Sequence, residues 1–143
     1  MRKIVISAVL AATLVAPIMV SAAETVDKVL ITLTSAEQQT RGMAMVLGNM
    51  MQAKGAKVSV LLCDSAGDMA LKEYKSEPLK PKNVTPEQLM QKLISGGAKV
   101  DVCALYLPNK GVGMEALLDG VGAAKPPVMA AALIDPDTRV FNF

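Results

Sequence analysis

The feature that most constrains the fold is the segment 99–111, KVDVCALYLPNKG, which holds one of the two cysteines among 143 residues. Side chains of a strand point alternately to its two faces, and both faces of 99–107 are mostly apolar. A strand that is apolar on both faces is typical of a parallel sheet with helices on each side. The segment therefore predicts an α/β fold, with a strand over 99–107 that ends in a Pro-Asn-Lys-Gly turn.

The rest of the chain alternates between strand and helix patterns. Short apolar runs predict strands, and apolar residues spaced by three and four predict helices. The predicted strands are 28–34, 57–63, 99–107, 128–134 and 139–143, and the predicted helices are 34–55, 85–97 and 114–121. This order predicts a single three-layer α/β/α domain over residues 24–143, with a mainly parallel five-stranded sheet.

Two further segments bear on packing and on ligands. The first helix has an apolar stripe at Met43, Val46, Leu47, Met50 and Ala53 that is predicted to face the core. Thioethers can bind soft metals, but core filling already accounts for these methionines, and we predict no metal site and no cofactor. The segment 72–86, rich in lysine and proline, is predicted to be a solvated loop or a flap that meets a small anion.

The first 23 residues have the pattern of a secretory signal peptide. Arg2 and Lys3 precede an uncharged apolar run over 4–20, and small residues at 21–23 suit a signal peptidase. We therefore predict a cleaved signal peptide over 1–23 and a periplasmic location for the rest. An uncleaved membrane anchor is the weaker alternative, because the apolar run of 17 residues is marginal for spanning a bilayer.

Charge and histidine content exclude several classes of function. Two of the 15 basic residues lie in the predicted signal peptide and none of the 13 acidic residues does, which leaves 13 of each. A chain without net charge has no general attraction for nucleic acid or anionic lipid. Histidine is absent, so histidine-based triads and the commonest zinc sites are excluded.

Cys103 is the residue with the clearest chemical potential. A thiol in an apolar strand is either a small buried hydrophobic group or, near the strand's carboxyl end, a reactive group facing the ligand crevice of an open sheet. A thiolate at neutral pH needs a nearby cation or helix amino terminus, and Lys110 and the predicted helix at Met114 are the candidates. Asp101, on the same predicted strand face, would oppose a second negative charge.

Cys63 stands at the carboxyl end of another predicted strand. Right-handed crossovers bring the carboxyl ends of the first three strands to one edge of the sheet, so residues 34–35, 63–67 and 107–111 are predicted to converge. Cys63 and Cys103 can form a disulfide there only if their strands are neighbours and their side chains share a face. A pair of free buried thiols and a functional Cys103 are the other interpretations.

The chain from Lys28 onward resembles the DsrE family, which includes the sulfur-relay subunits of the Tus and Dsr complexes and the YchN-like proteins. Members carry a sulfur-accepting cysteine in an apolar strand followed by a basic residue and Gly, and here Cys103 precedes Lys110-Gly111. The closing segment 137–143, DTRVFNF, is similar to the family's last strand. The usual pair of basic residues after the cysteine strand is Asn109-Lys110 in this chain.

The resemblance implies a compact DsrEFH/YchN-like subunit that assembles into homo- or hetero-oligomers such as a dimer, trimer or hexamer. It also implies that Cys103 carries sulfur as a persulfide between donor and acceptor proteins, with Lys110, Gly111, Asn109 and Cys63 as possible supporting residues. The alternative is a non-catalytic oligomeric binding module with Cys103 buried in its core. A thiol redox protein using both cysteines ranks last, because a closely spaced pair is absent from the sequence.

Overall fold

A computed structural model of the protein describes residues 27–143, so the predicted signal peptide lies outside the described residues. The strands are β1 Lys28–Leu33, β2 Lys57–Leu62, β3 Lys99–Val102, β4 Val121–Ala123 and β5 Thr138–Asn142. The α-helices are α1 Gln38–Ala53, α2 Pro86–Ser95, α3 Tyr106–Lys110 and α4 Pro126–Ile134. Two 3₁₀ helices, Asp64–Ala70 and Met114–Ala116, complete the regular elements of this part of the chain.

The five strands form one parallel sheet in the order β4-β3-β2-β1-β5. Right-handed crossovers place α1 and α2 together on one face, because β1, β2 and β3 follow one another across the sheet. The connection from β4 to β5 runs between opposite edges, which places α4 on the other face. The predicted α/β fold with a parallel five-stranded sheet and helices on both sides is therefore confirmed.

The main core lies between the sheet and the α1–α2 layer. Alternate residues of β1, β2 and β3 are buried there together with residues of both helices. They are Val29, Ile31, Leu33, Val58, Val60, Leu62, Val100, Val102, Ala44, Met45, Met90 and Leu93. The residues between them on the strands face the α4 side, where Leu30 and Asp101 are buried and Ser59 and Leu61 are only partly buried.

The start of α2 is the boundary that the sequence signals most clearly. The backbone N–H of Gln88 donates to Thr85 Oγ1 at 3.2 Å, and the N–H of Thr85 donates to Gln88 Oε1 at 2.9 Å. This reciprocal capping box, with Pro86 as the first helical residue, satisfies two backbone donors that a helix start leaves without partners. The helix predicted from Thr85 is confirmed, and the preceding segment 72–85 is irregular, as expected for a loop.

The apolar stripe predicted for α1 is wrong, because the structure buries a different face of the helix. Its buried residues are Arg41, Gly42, Ala44, Met45 and Gly48. Small residues allow a close approach: a Cβ on Gly48 would lie 3.2 Å from both Ile31 Cδ1 and Leu93 Cδ2. The predicted stripe therefore remains exposed, with Met43 at 53% and Met50 at 55%.

The strand predicted over 128–134 is also wrong, since α4 occupies this segment. Pro126 and Pro127 begin the helix, because proline is favoured in the first turn of a helix. Ala130, Ala131 and Ala132 follow, and alanine has the highest helix propensity of all residues. The fourth strand is instead β4, which begins at Val121, and the helix predicted over 114–121 is reduced to the 3₁₀ helix Met114–Ala116.

The strand predicted over 99–107 ends at Val102, and α3 begins at Tyr106. Cys103 is therefore the first residue after the strand and not a residue within it. Within residues 27–143, no helix is both long and apolar enough to cross a membrane.

Candidate functional site

The two cysteines occupy equivalent positions at the ends of neighbouring strands. The register of β2 and β3 pairs Leu62 with Val102, so Cys63 and Cys103 are the next pair along the sheet. The ladder continues through them, because Cys103 N–H donates to the Leu62 carbonyl at 2.7 Å and Cys63 N–H donates to that of Leu33 at 2.9 Å. The two cysteines therefore lie on neighbouring strands with their side chains on the same face, which are the two conditions for a contact between them.

Both cysteines are free thiols and both are half-buried. Burial, hydrogen bonding to Cys103 and the nearby charges of Cys103 and Asp64 raise the pKa of the Cys63 thiol to about 12. Cys63 therefore keeps its proton at neutral pH and can donate it in a hydrogen bond to the Cys103 sulfur. At neutral pH the pair therefore consists of one thiol that can donate and one sulfur that can accept.

Cys103 opens onto a cleft of about 430 Å³ at the carboxyl edge of the sheet. The 3₁₀ helix after β2 and the loop and short helix after β3 form its walls. The lining residues are Asp64, Ser65, Asp68, Cys103, Leu105, Tyr106, Asn109 and Lys110. The predicted convergence of 63–67 with 107–111 thus extends to Asp68 and Tyr106, which sequence analysis did not select.

Asp68 is the electrostatic centre of this cleft. Its Oδ1 accepts hydrogen bonds from Tyr106 Oη at 2.6 Å and from Lys110 Nζ at 2.7 Å. Partial burial alone would raise the pKa of Asp68, but the bonds from Lys110 and Tyr106 and the charge of Arg41 outweigh it, and the pKa lies below its usual range. Burial, and then the bond to Asp68, raise the pKa of Tyr106, so its hydroxyl stays protonated.

The ion pair changes the role predicted for Lys110. Its ammonium group lies in the same cleft as Cys103, as expected, but Asp68 neutralises much of its charge. Asp101, predicted to oppose a thiolate, is 4% exposed and pairs with Lys99 Nζ at 2.9 Å. The charged residues nearest in sequence to Cys103 are therefore already in ion pairs. Hydrogen bonds to the Cys103 sulfur consequently matter more for the reactivity of this thiol.

Gly111 and Asn109 are the two remaining residues that the family resemblance suggests as supporting residues. Gly111 ends α3 in the left-handed region at φ 73°, a conformation that costs glycine little. Asn109 Nδ2 donates to the Leu105 carbonyl at 2.7 Å and lines the cleft. Both residues shape the segment that carries Lys110.

Gly67 explains how the Tyr106 ring reaches Asp68. A Cβ at position 67 would overlap the Tyr106 ring, so only glycine leaves room for the ring against the 3₁₀ helix. Gly67 lies in the segment 63–67 that is predicted to converge with 107–111, but the sequence predicts no role for it. Gly67 and Tyr106 are far apart in the sequence, so no local sequence pattern predicts their contact.

Arg41 is a buried cation that sequence analysis missed altogether. It is 3% exposed, and its guanidinium donates to the Ser35 carbonyl at 2.7 Å, to Tyr74 Oη at 2.7 Å and to the Ser65 carbonyl at 2.5 Å. The guanidinium also lies 5.7 Å from the centre of the Tyr74 ring. Arg41 thereby fixes the loops after β1 and β2 behind the cleft wall.

Lysines of the segment 72–86 do not line the cleft. Lys72 Nζ donates to the Glu115 carbonyl, and Lys80 Nζ donates to Asn83 Oδ1. The solvated-loop interpretation therefore describes this segment better than the anion-binding flap. Within residues 27–143, no group of three or more acidic or cysteine side chains is placed to hold a metal ion.

The parallel sheet and its crossovers define an α/β protein of the YchN-like fold. The structure is similar to that of the YchN protein from E. coli, with a TM-score of 0.64 and 20% identity over 82% of this chain and 99% of that one. It is also similar to MTH1491 from Methanobacterium thermoautotrophicum, described as a protein of unknown function, with a TM-score of 0.60 and 11% identity over 81% and 98% of the two chains. No protein-family model and no curated protein sequence matches the chain. The resemblance to the DsrE family is thus supported at the level of the fold.

Proposed function

We propose that this protein is a periplasmic DsrE-like sulfur carrier that accepts sulfane sulfur as a persulfide on Cys103. The observation that carries the proposal is the position of Cys103, half-buried at the carboxyl end of β3 and open to the cleft. A cysteine of a binding module would need no such access. This position therefore favours the carrier over the alternative in which Cys103 is part of the core.

The transfer consists of two thiol exchange steps. In the first, the Cys103 thiolate attacks the terminal sulfur of a donor persulfide; a new S–S bond forms, the donor S–S bond breaks, and the donor leaves as a thiolate that takes up a proton. In the second, an acceptor thiolate attacks the terminal sulfur on Cys103, and Cys103 is the leaving thiolate. No external oxidant or reductant is needed, because the sulfane sulfur only changes its partner.

Two features of the site support the first step. The Cys63 thiol keeps its proton and can donate a hydrogen bond that orients the attacking sulfur of Cys103. Lys110 presents an ammonium group in the same cleft, where a small anionic sulfur species has to enter. We expect Lys110 to contribute less than a free ammonium group, because it is paired with Asp68.

Export and self-association are parts of the same proposal. The signal-peptide pattern of residues 1–23 supports export, and the family resemblance supports a homo-oligomer. Large apolar side chains exposed on α1 and α4 give an oligomer apolar surface to bury. They include Met43, Met50, Val128, Leu133 and Ile134.

Intact mass spectrometry tests the carrier function. The reduced protein is incubated briefly with inorganic polysulfide, freed of excess donor and quenched in acid, with Cys103→Ser and Cys63→Ser treated in parallel. We expect a gain of one sulfur atom on the wild type and on Cys63→Ser, reversed by dithiothreitol, and none on Cys103→Ser. The absence of sulfur on a reduced and alkylatable Cys103 would contradict the proposal.

A further inference from the structure

We propose that Cys63 is the resolving thiol of this site: it attacks Sγ of persulfidated Cys103, forms a Cys63–Cys103 disulfide and releases sulfide. The inference rests on the proposed carrier function and assigns a second role to the cleft. It explains why two half-buried thiols occupy paired positions on adjacent strands, whereas a carrier needs one thiol. The protein would then hold sulfane sulfur for an acceptor and discharge it as sulfide if no acceptor arrives.

Sheet geometry brings the two cysteines within the range that a disulfide spans. Neighbouring strands lie about 4.8 Å apart, and disulfides join Cα atoms about 4.4–6.8 Å apart. Cys63 and Cys103 follow the paired residues Leu62 and Val102, and both still donate ladder hydrogen bonds. Paired positions of parallel strands direct their side chains to the same face, so the two thiols lie side by side at the sheet edge.

The reaction balances without an oxidant. The bond from Cys63 Sγ to Cys103 Sγ forms as the bond from Cys103 Sγ to the terminal sulfur breaks. The electron pair of the broken bond leaves with the terminal sulfur, and the proton of the Cys63 thiol can accompany it, so the products are one disulfide and hydrogen sulfide. A dithiol reductant must later reduce the disulfide before the site can accept sulfur again.

The protonation of Cys63 makes this reaction slow at neutral pH. Burial, Cys103 and Asp64 all oppose its ionisation, so the attacking thiolate is scarce. Below the pKa of a thiol, its thiolate fraction rises about tenfold for each pH unit. An acceptor protein therefore has time to collect the sulfur, and the lifetime of the persulfide shortens as the pH rises.

The experiment follows the persulfide after the donor has been removed. Reduced wild type, Cys63→Ser and Cys63→Ala are loaded with inorganic polysulfide and freed of excess donor. Intact mass and free sulfide are then measured over time at pH 7, 8 and 9. We expect the loaded wild type to convert into a species two hydrogens lighter than the reduced protein, with one equivalent of sulfide, faster at each higher pH. Both Cys63 variants should keep the added sulfur at least tenfold longer and release no stoichiometric sulfide.

The outcomes separate this inference from the carrier proposal. If the wild type keeps its persulfide as long as both variants do, Cys63 is not a resolving thiol, and the carrier function stands. If the wild type loses the sulfur without forming the disulfide, the inference is equally overturned. If neither the wild type nor the Cys63 variants gain sulfur, the carrier proposal fails, and the inference fails with it.

Discussion

Cys63 and Cys103 stand side by side at the edge of the parallel sheet, each one residue beyond its strand and each still bound to the neighbouring strand through its backbone N–H. Their surroundings nevertheless differ. Cys103 lines the cleft, whereas Cys63 is absent from the cleft lining and holds its proton strongly. Two thiols in equivalent sheet positions therefore differ in their access to the cleft and in their acidity.

The first prediction concerns the pH dependence of Cys63 alkylation. The pKa of this thiol is raised to about 12. We therefore expect the rate at which iodoacetamide alkylates Cys63 in the wild type to rise continuously from pH 7 to pH 10, without a plateau. Peptide mass spectrometry after timed quenching measures the rate at each cysteine separately.

Cys103→Ser provides the matched comparison. The serine removes the partner thiol that helps to raise the pKa of Cys63, so alkylation of Cys63 at pH 8 should become faster, while burial still keeps it slower than that of an exposed cysteine. A plateau for Cys63 below pH 9 in the wild type would show that its proton is not held in this way.

The second prediction concerns Asp68→Asn. The amide removes the negative charge that pairs with Lys110, so the ammonium charge becomes available to a Cys103 thiolate in the same cleft. We expect alkylation of Cys103 at pH 7 to become about threefold faster, in keeping with the less than about 1 kcal/mol typical of a partly exposed ion pair. The rate is best measured in the Cys63→Ser background.

Asp64→Asn is the control, since Asp64 also lines the cleft but forms no ion pair with Lys110 in the described residues. A similar acceleration in this variant would mean that net charge in the cleft, and not release of Lys110, controls the reactivity of Cys103. Addition of 0.5 M NaCl should reduce the effect of Asp68→Asn, because salt screens exposed charges.

The third prediction concerns acid stability. The pKa of Asp68 is lowered in the folded protein, so its contribution to stability is fully present well above the unfolded value of about 3.9 and is lost as the pH falls through the folded value. In Asp68→Asn this pH-dependent part should vanish. Urea unfolding at pH 7 and pH 3 should show a loss of about 1 kcal/mol for the variant at pH 7 and a smaller difference at pH 3.

The fourth prediction concerns Gly67→Ala. The new methyl group would overlap the Tyr106 ring, and the ring cannot retreat without losing its hydrogen bond to Asp68. We expect a loss of about 1–3 kcal/mol in the free energy of unfolding, the usual cost of overpacking. Gly113→Ala is the matched control, because its methyl group meets only the flexible carboxylate of Glu115 and should cost less than about 0.5 kcal/mol.

Local patterns in the sequence predicted those parts of the fold that depend on local physics. The strands β1 and β2 and the capping box of Thr85 and Gln88 follow from residues close in sequence. The position of Cys63 and Cys103 at one sheet edge follows from the handedness of the crossovers, which is common to parallel sheets. These predictions needed no knowledge of side-chain packing.

Choices between two equally apolar alternatives could not be made from the sequence. α1 is apolar on two faces, and the glycines that permit close packing, not the larger Met43 and Met50, select the buried one. The site residues Asp68 and Arg41 depend on contacts between distant segments, such as Asp68 with Tyr106 and Arg41 with Ser65. No regular spacing of residues in a single sequence predicts such long-range contacts.

The last prediction concerns self-association through α4. None of the nine residues of α4 is buried, although all of them are apolar, and Ile134 is 83% exposed. Exposed apolar surface of this kind is a common feature of subunit interfaces. We therefore expect Ile134→Lys to lower the mass of the particle measured by light scattering, while the free energy of unfolding at low protein concentration changes by less than about 0.5 kcal/mol. Lys82→Glu, in the exposed loop before α2, should leave the particle mass unchanged, and a wild type that is monomeric at all concentrations would refute the association.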